Sequence, residues 1–136
     1  RNGQEITVSP EKELKNTLAA YSLDYSEEPG KTESEAKVIQ HLVSKIRNLR
    51  STNCLMDYCY TADGKLGASI NQTSKIWDIA GPGLIIEEAG GKVTDINGNP
   101  FEFSLNEFNY GRNFTIVGSN KLLHSELIKI LNHDLQ

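Results

Sequence analysis

Apolar positions along this chain follow two rhythms, short β-like runs and longer helical stripes. Residues 16–23 (NTLAAYSL) are mostly apolar and stop at Asp24 and the turn-rich Ser26-Glu27-Glu28-Pro29-Gly30, as a strand entering a loop would. Thr32 followed by Glu35 makes a capping-box pattern. Val38, Ile39, Leu42, Val43, Ile46 and Leu49 then recur at i, i+3, i+4 spacing and predict a helix, with Lys37, Gln40, Lys45 and Asn48 on its solvent side. Asn53 is positioned to cap a short helix through Leu55, Met56, Tyr58, Cys59 and Ala62, stopped by Asp63-Gly64.

Residues 66–70 read as a strand, and residues 77–89 as a second long helix with Pro82 near its start and Gly90-Gly91 at its end. Residues 92–96 alternate polar and apolar. Asn97-Gly98 is a hairpin-turn signal before a strand at residues 101–103, and residues 114–117 form another buried strand. Ser119 or Asn120 caps a closing helix whose Leu122, Leu123, Leu127, Ile128 and Leu131 make one stripe. Strands alternating with helices predict a layered α/β domain.

Length and charge narrow the function. A chain of 136 residues fits one domain and is long enough to bury a core without disulfides or metals. With 14 Lys and Arg against 18 Asp and Glu, and no basic cluster, it is a poor binder of nucleic-acid phosphates. The longest apolar runs fall far short of the roughly 20 residues that span a bilayer, so no membrane partner is expected. Cys54 and Cys59 are too few for a disulfide scaffold and have no zinc-type partner pair, and a reduced cytoplasm suits them. The chain begins at Arg1 rather than Met, in mid-phrase.

Most candidate chemistry dissolves on inspection. His41, His124 and His133 lie on predicted helices with no second ligand at metal spacing, and read as surface or partly packed residues. Glu27-Glu28 and Glu87-Glu88 read as a solvated loop and an exposed helix face. Gly64 and Gly67 form no phosphate-binding loop. The segment Asp95-Ile96-Asn97-Gly98-Asn99 lacks the later Glu of a calcium loop and reads as a turn. Trp77-Asp78 stands apart. A carboxylate in the first turn of a helix is favoured by the helix dipole, and its context is KIWDIAGPGLIIEEAGGKVTD over residues 75–95.

That stretch closely resembles the C-terminal signature of the inositol monophosphatase family of magnesium-dependent, lithium-sensitive phosphomonoesterases: Trp-Asp, an Ala-Gly-rich helix start, an apolar run, then Glu-Ala-Gly-Gly and a hairpin. Asn2-Gly3-Gln4 with Val8-Ser9 looks like the family's mid-chain hairpin. Residues 51–64 look like its Gly-Ser-Ala-Ala-Leu-Asp-Leu segment, and Gly118-Ser119-Asn120 like its ending. The resemblance implies a layered sandwich with a mixed β-sheet flanked by helices. It also implies hydrolysis of a phosphate ester by water activated on Mg²⁺. By the same resemblance Asp78 is a metal ligand, and Thr52, Asn53 and Cys54 line the substrate pocket by their backbone. Asn71 falls where inositol phosphatases usually place a Glu that bonds an inositol hydroxyl, and Gly67 replaces a common Asp, both of which weaken the inositol assignment. Residues 73–78 also look like those of the family's 3′(2′),5′-bisphosphate nucleotidase branch.

The family's early Glu-Glu pair and its Asp-Pro-Ile/Leu-Asp-Gly-Thr/Ser motif, which carry most of its metal ligands, do not occur in this sequence. The expectation is therefore a C-terminal half, its partner half supplying the other ligands, and by resemblance a homodimer. The competing expectation is a non-catalytic interaction module built on the same fold.

Overall fold

The structure, a computed structural model, describes residues 1–101 and 110–132. A five-stranded sheet runs in the order β2-β1-β3-β5-β4. Its strands are β1 (Leu18–Ser22), β2 (Asn48–Arg50), β3 (Ala68–Ser74), β4 (Gly91–Thr94) and β5 (Phe114–Asn120). β2, β1 and β3 are parallel, and β5 joins β3 and β4 by antiparallel ladders, so the sheet is mixed as expected. Among the described residues the helices are α1 (Lys31–Val43), α2 (Met56–Ala62), α3 (Ile76–Glu88) and α4 (His124–Leu131).

Strand alternation sends successive side chains to opposite faces and so builds two cores. Tyr21, Ile70 and Val117 meet Leu42 of α1 and Leu127 and Leu131 of α4 on one face. Ile116 and Val93 meet Tyr58 and Ala62 of α2 and Ile79 and Ile86 of α3 on the other. The sheet is thus the middle layer between two helix pairs. No helix among the described residues is long and apolar enough to cross a membrane.

Several local expectations shift. α1 ends at Val43, and Leu49 packs against the first core from β2 rather than from the helix. Its start is set by Gly30 in the left-handed region at φ 83°, not by a Thr32–Glu35 box. Glu35 is instead buried, with Oε1 unbonded, and burial raises its pKa. Pro82 lies inside α3, buried beside Gly83. Gly90 and Gly91, which carry the chain from that helix into β4, are glycine for different reasons. Gly90 takes φ 87°, whereas a Cβ on Gly91 would come within 2.6 Å of Ile86 Cγ2 and 2.8 Å of the Ser119 carbonyl.

Asp95 makes the predicted turn rigid by accepting from the backbone N–H groups of Asn97 and Asn99 at 2.9 and 2.8 Å. Most of the strand expected at 101–103, like His133, lies outside the described residues. Among the described residues, 1–13 contain a turn at Asn2-Gly3 but no strand. This segment is held by Asn120, whose amide donates to the carbonyls of Ser9 and Glu11 at 2.7 and 2.8 Å.

Candidate active site

The carboxyl ends of parallel strands are where an α/β sheet leaves a crevice, because the chain must exit there into separate loops. Here β1 leads to Asp24, β2 to residues 51–55, and β3 through Lys75 into α3. A cavity of about 180 Å³ lies among these exits. Asp24 lines it from the first, Asn53, Cys54 and Leu55 from the second, and Asn71, Thr73 and Ser74 from the third. Asp78 and Tyr58 complete it. The β3–β5 ladder shifts register between Asn71 and Ser74. Such a bulge re-aims side chains that regular pairing would fix, and both residues lie on the cavity.

Asp78 occupies the first turn of α3. Its Oδ2 accepts the backbone N–H of Lys75 at 3.1 Å, while its own N–H donates to the Lys75 carbonyl at 2.9 Å. The helix dipole favours a carboxylate there. Among the described residues nothing bonds its Oδ1, so one oxygen is structural and the other is available. Behind it the Tyr58 hydroxyl pairs with Ser74 Oγ at 3.0 Å. Burial pushes the Tyr58 pKa up to about 12, so the phenol stays neutral at physiological pH.

The loop before α2 is shaped by Asn53, which adopts φ 48°. Asn tolerates this left-handed conformation better than most side chains. It is therefore not the cap of α2, which begins at Met56; its amide donates instead to Asp24 Oδ1 at 2.6 Å. Thr52 points elsewhere, with Oγ1 2.6 and 2.7 Å from the two oxygens of buried Asp57. Cys54 precedes α2 and is an exposed free thiol. On the far side Thr73 donates its hydroxyl to Asp24 Oδ2, and its backbone N–H to Asn71 Oδ1 at 2.7 Å. The Thr73 hydroxyl holds the Asp24 carboxyl below the usual carboxylate range, aided by Asn53 and Lys31 against the cost of partial burial.

The structure thus brings Asn53, Cys54, Asn71 and Asp78 onto one cavity and leaves Thr52 beside it, bonded to Asp57. Asp24 and Thr73 also line the cavity, and no sequence signal points to either. They are 49 positions apart in sequence and meet only through the β1–β3 pairing, so local spacing carries no trace of them. Among its lining residues the cavity holds two carboxylates and no Lys, Arg or His.

The model of the inositol monophosphatase family matches residues 1–136. The chain belongs to this family. Inositol monophosphatase 1 of Sus scrofa is 30% identical over 130 residues, which cover 94% of this chain and 44% of that protein. A bifunctional NADP phosphatase/NAD kinase of Methanococcus maripaludis is 36% identical over 80 residues, 57% of this chain and 14% of that one. The inositol monophosphatase structure from Anabaena superposes with a TM-score of 0.81 at 26% identity, covering 98% of this chain and 50% of that chain. The chain spans about half the length of the inositol monophosphatases it matches. The family is one of phosphoric monoester hydrolases.

A family metal would have to be held by carboxylates. Among the described residues no group of three or more His, Cys, Asp or Glu is placed to hold one. A hard divalent cation requires several oxygen donors, so these residues do not by themselves make a complete site.

Proposed function

We propose that this chain forms the alcohol-binding and part of the metal-binding side of a phosphomonoesterase acting on a small phosphorylated polyol. The observation that carries the reading is the cavity's charge. An ester phosphate entering this cavity meets two carboxylates and no cationic side chain among the lining residues, a charge that a metal cation held beside Asp78 would offset. Mg²⁺ is the proposed ion, with Asp78 as one ligand and the remaining ligands contributed by polypeptide outside these 136 residues. Bound there, it would polarise a water and neutralise phosphate oxygens.

This chain's own contribution is positional. α3 holds the Asp78 carboxylate in place through the Lys75 N–H, leaving Oδ1 for a ligand. Neutral Tyr58 and Ser74 close the inner wall, while residues 53–54 and the side chains of Asn71 and Thr73 form the rim facing the alcohol. The named NADP phosphatase relative supports a second reading, a phosphate on a nucleotide ribose, as in the bisphosphate nucleotidase branch.

The test uses the protein at the length found in its source cells. Phosphate release from inositol 1-phosphate, adenosine 3′,5′-bisphosphate and NADP is followed with Mg²⁺ and with excess chelator. Mg²⁺-dependent release from the first supports the polyol reading. Preference for either nucleotide selects the second, and no release from any of the three leaves the interaction-module reading in its place.

A further inference from the structure

We propose that Asp24 is a specificity-determining residue, accepting a hydrogen bond from a free hydroxyl on the alcohol half of the phosphate ester. The proposal rests on the phosphatase reading above and assigns to Asp24 a role in choosing the substrate.

Asp24 lies at the rim, exposed and lining the cavity. It is nonetheless held in place. Asn53 Nδ2 donates to Oδ1 at 2.6 Å, and the Thr73 hydroxyl donates to Oδ2. These donors come from the loop before α2 and from the end of β3, so the carboxylate is fixed from both sides. An ionised carboxylate offers about four acceptor positions. Two are used by Asn53 and Thr73, and no salt bridge among the described residues uses another. The remaining acceptor capacity carries full negative charge into the cavity.

A phosphate oxygen is repelled from such a group, and a hydroxyl proton is drawn to it by a charge-assisted bond. Asp24 therefore sorts the two ends of a phosphate ester. The alcohol is held on its side, and the phosphate is left toward Asp78 and the cation.

Thr73 adds a second element of recognition. Its N–H engages Asn71 Oδ1 at 2.7 Å, which orients the Asn71 amide. Among the described residues no bond uses the Asn71 NH₂, so Asn71 presents donors where Asp24 presents acceptors. A hydroxyl is both donor and acceptor, and two neighbouring hydroxyls could engage both residues at once. An ester whose alcohol lacks hydroxyls can engage neither in this way. The chemistry selected is an alcohol with a free hydroxyl near the phosphate, whether polyol or ribose.

The experiment compares two esters on one preparation of the natural-length protein with Mg²⁺. Glycerol 2-phosphate carries a free hydroxyl on each side of the phosphate, and p-nitrophenyl phosphate carries none. The readout is the ratio of kcat/KM for glycerol 2-phosphate to that for p-nitrophenyl phosphate, which does not depend on the fraction of folded enzyme. Asp24→Asn keeps the shape and removes the charge, and should lower this ratio about tenfold. Thr73→Val, which frees Asp24 without touching its charge, should lower the same ratio by a smaller factor and decides the matter if Asp24→Asn is poorly folded. An active wild type whose ratio stays within about twofold in both variants overturns the assignment of Asp24 alone. A wild type that releases phosphate from neither ester overturns this assignment, and release from none of inositol 1-phosphate, adenosine 3′,5′-bisphosphate and NADP overturns the phosphatase reading as well.

Discussion

Acidification should weaken this fold through one side chain, His124. It is 2% exposed at the start of α4, and both ring nitrogens are engaged. Nε2 lies 2.9 Å from Thr94 Oγ1 and Nδ1 2.8 Å from Ser119 Oγ. The ring thus ties α4 to β4 and β5, and its burial was not visible in a helical pattern that suggested a surface or partly packed histidine. Desolvation, with the Lys92 charge acting the same way, lowers its pKa from 6.5 to about 4. The folded value lies below the unfolded one, so folding favours the neutral ring. That stability is complete above about pH 6.5 and is lost as pH falls toward 4. Between about pH 7.5 and pH 5 the two values give a loss of about 2 kcal/mol, a window above the range where most carboxylates titrate. Urea unfolding at both pH values measures it, with His124→Gln as the reference that cannot titrate. The expected result is a pH-dependent loss in the wild type that is absent from the variant. An equal loss in both proteins, or none in the wild type, would refute the reasoning.

Three further outcomes follow from particular contacts. Gly91→Ala should destabilise the fold by about 2 kcal/mol, because its Cβ meets Ile86 and the Ser119 carbonyl at under 3 Å; an unfolding midpoint unchanged from wild type would contradict this. Asn120→Ala removes donors to Ser9 and Glu11 and the acceptor for the Leu123 N–H, 2.9 Å away. It should cost about 2–3 kcal/mol and make residues 1–13 the first site of limited proteolysis, so an unchanged cleavage pattern counts against Asn120 as their anchor. Asp24→Asn should change ester selectivity as described above, read as a ratio of kcat/KM values.

The sequence was most legible where a residue's role is local. The helix at Ile76–Glu88, its Gly90-Gly91 stop and the Asp95 turn each declare themselves within a few residues, and the structure bears them out. α1 is shorter than its pattern predicts because Ile46 and Leu49 continue the helical period while packing into the same core from beyond the helix end. Periodicity reports the buried face, not the backbone that presents it. Asn53 suits a cap by sequence because Asn serves both at caps and at left-handed positions, and only the fold chooses between them.

The site divides in the same way. Asp78 is marked by the motif around it, Asn53 and Cys54 by the likeness of residues 51–64 to a family segment, and Asn71 by the position where a Glu is usual; all four line the cavity. Asp24 and Thr73 had no such motif. Their juxtaposition is made by a parallel strand pair and a bulge, features that one sequence does not display.

The central claim is that Asp78 completes a cation site for phosphate hydrolysis. It is tested most directly by titrating Mg²⁺ into the natural-length protein and its Asp78→Asn variant while following phosphate release from inositol 1-phosphate. The expected result is saturable, Mg²⁺-dependent release by the wild type. The variant should lose about a hundredfold or more in kcat/KM, with its Mg²⁺ midpoint moved to higher concentration. A variant with the wild-type rate and the wild-type Mg²⁺ midpoint would contradict the account.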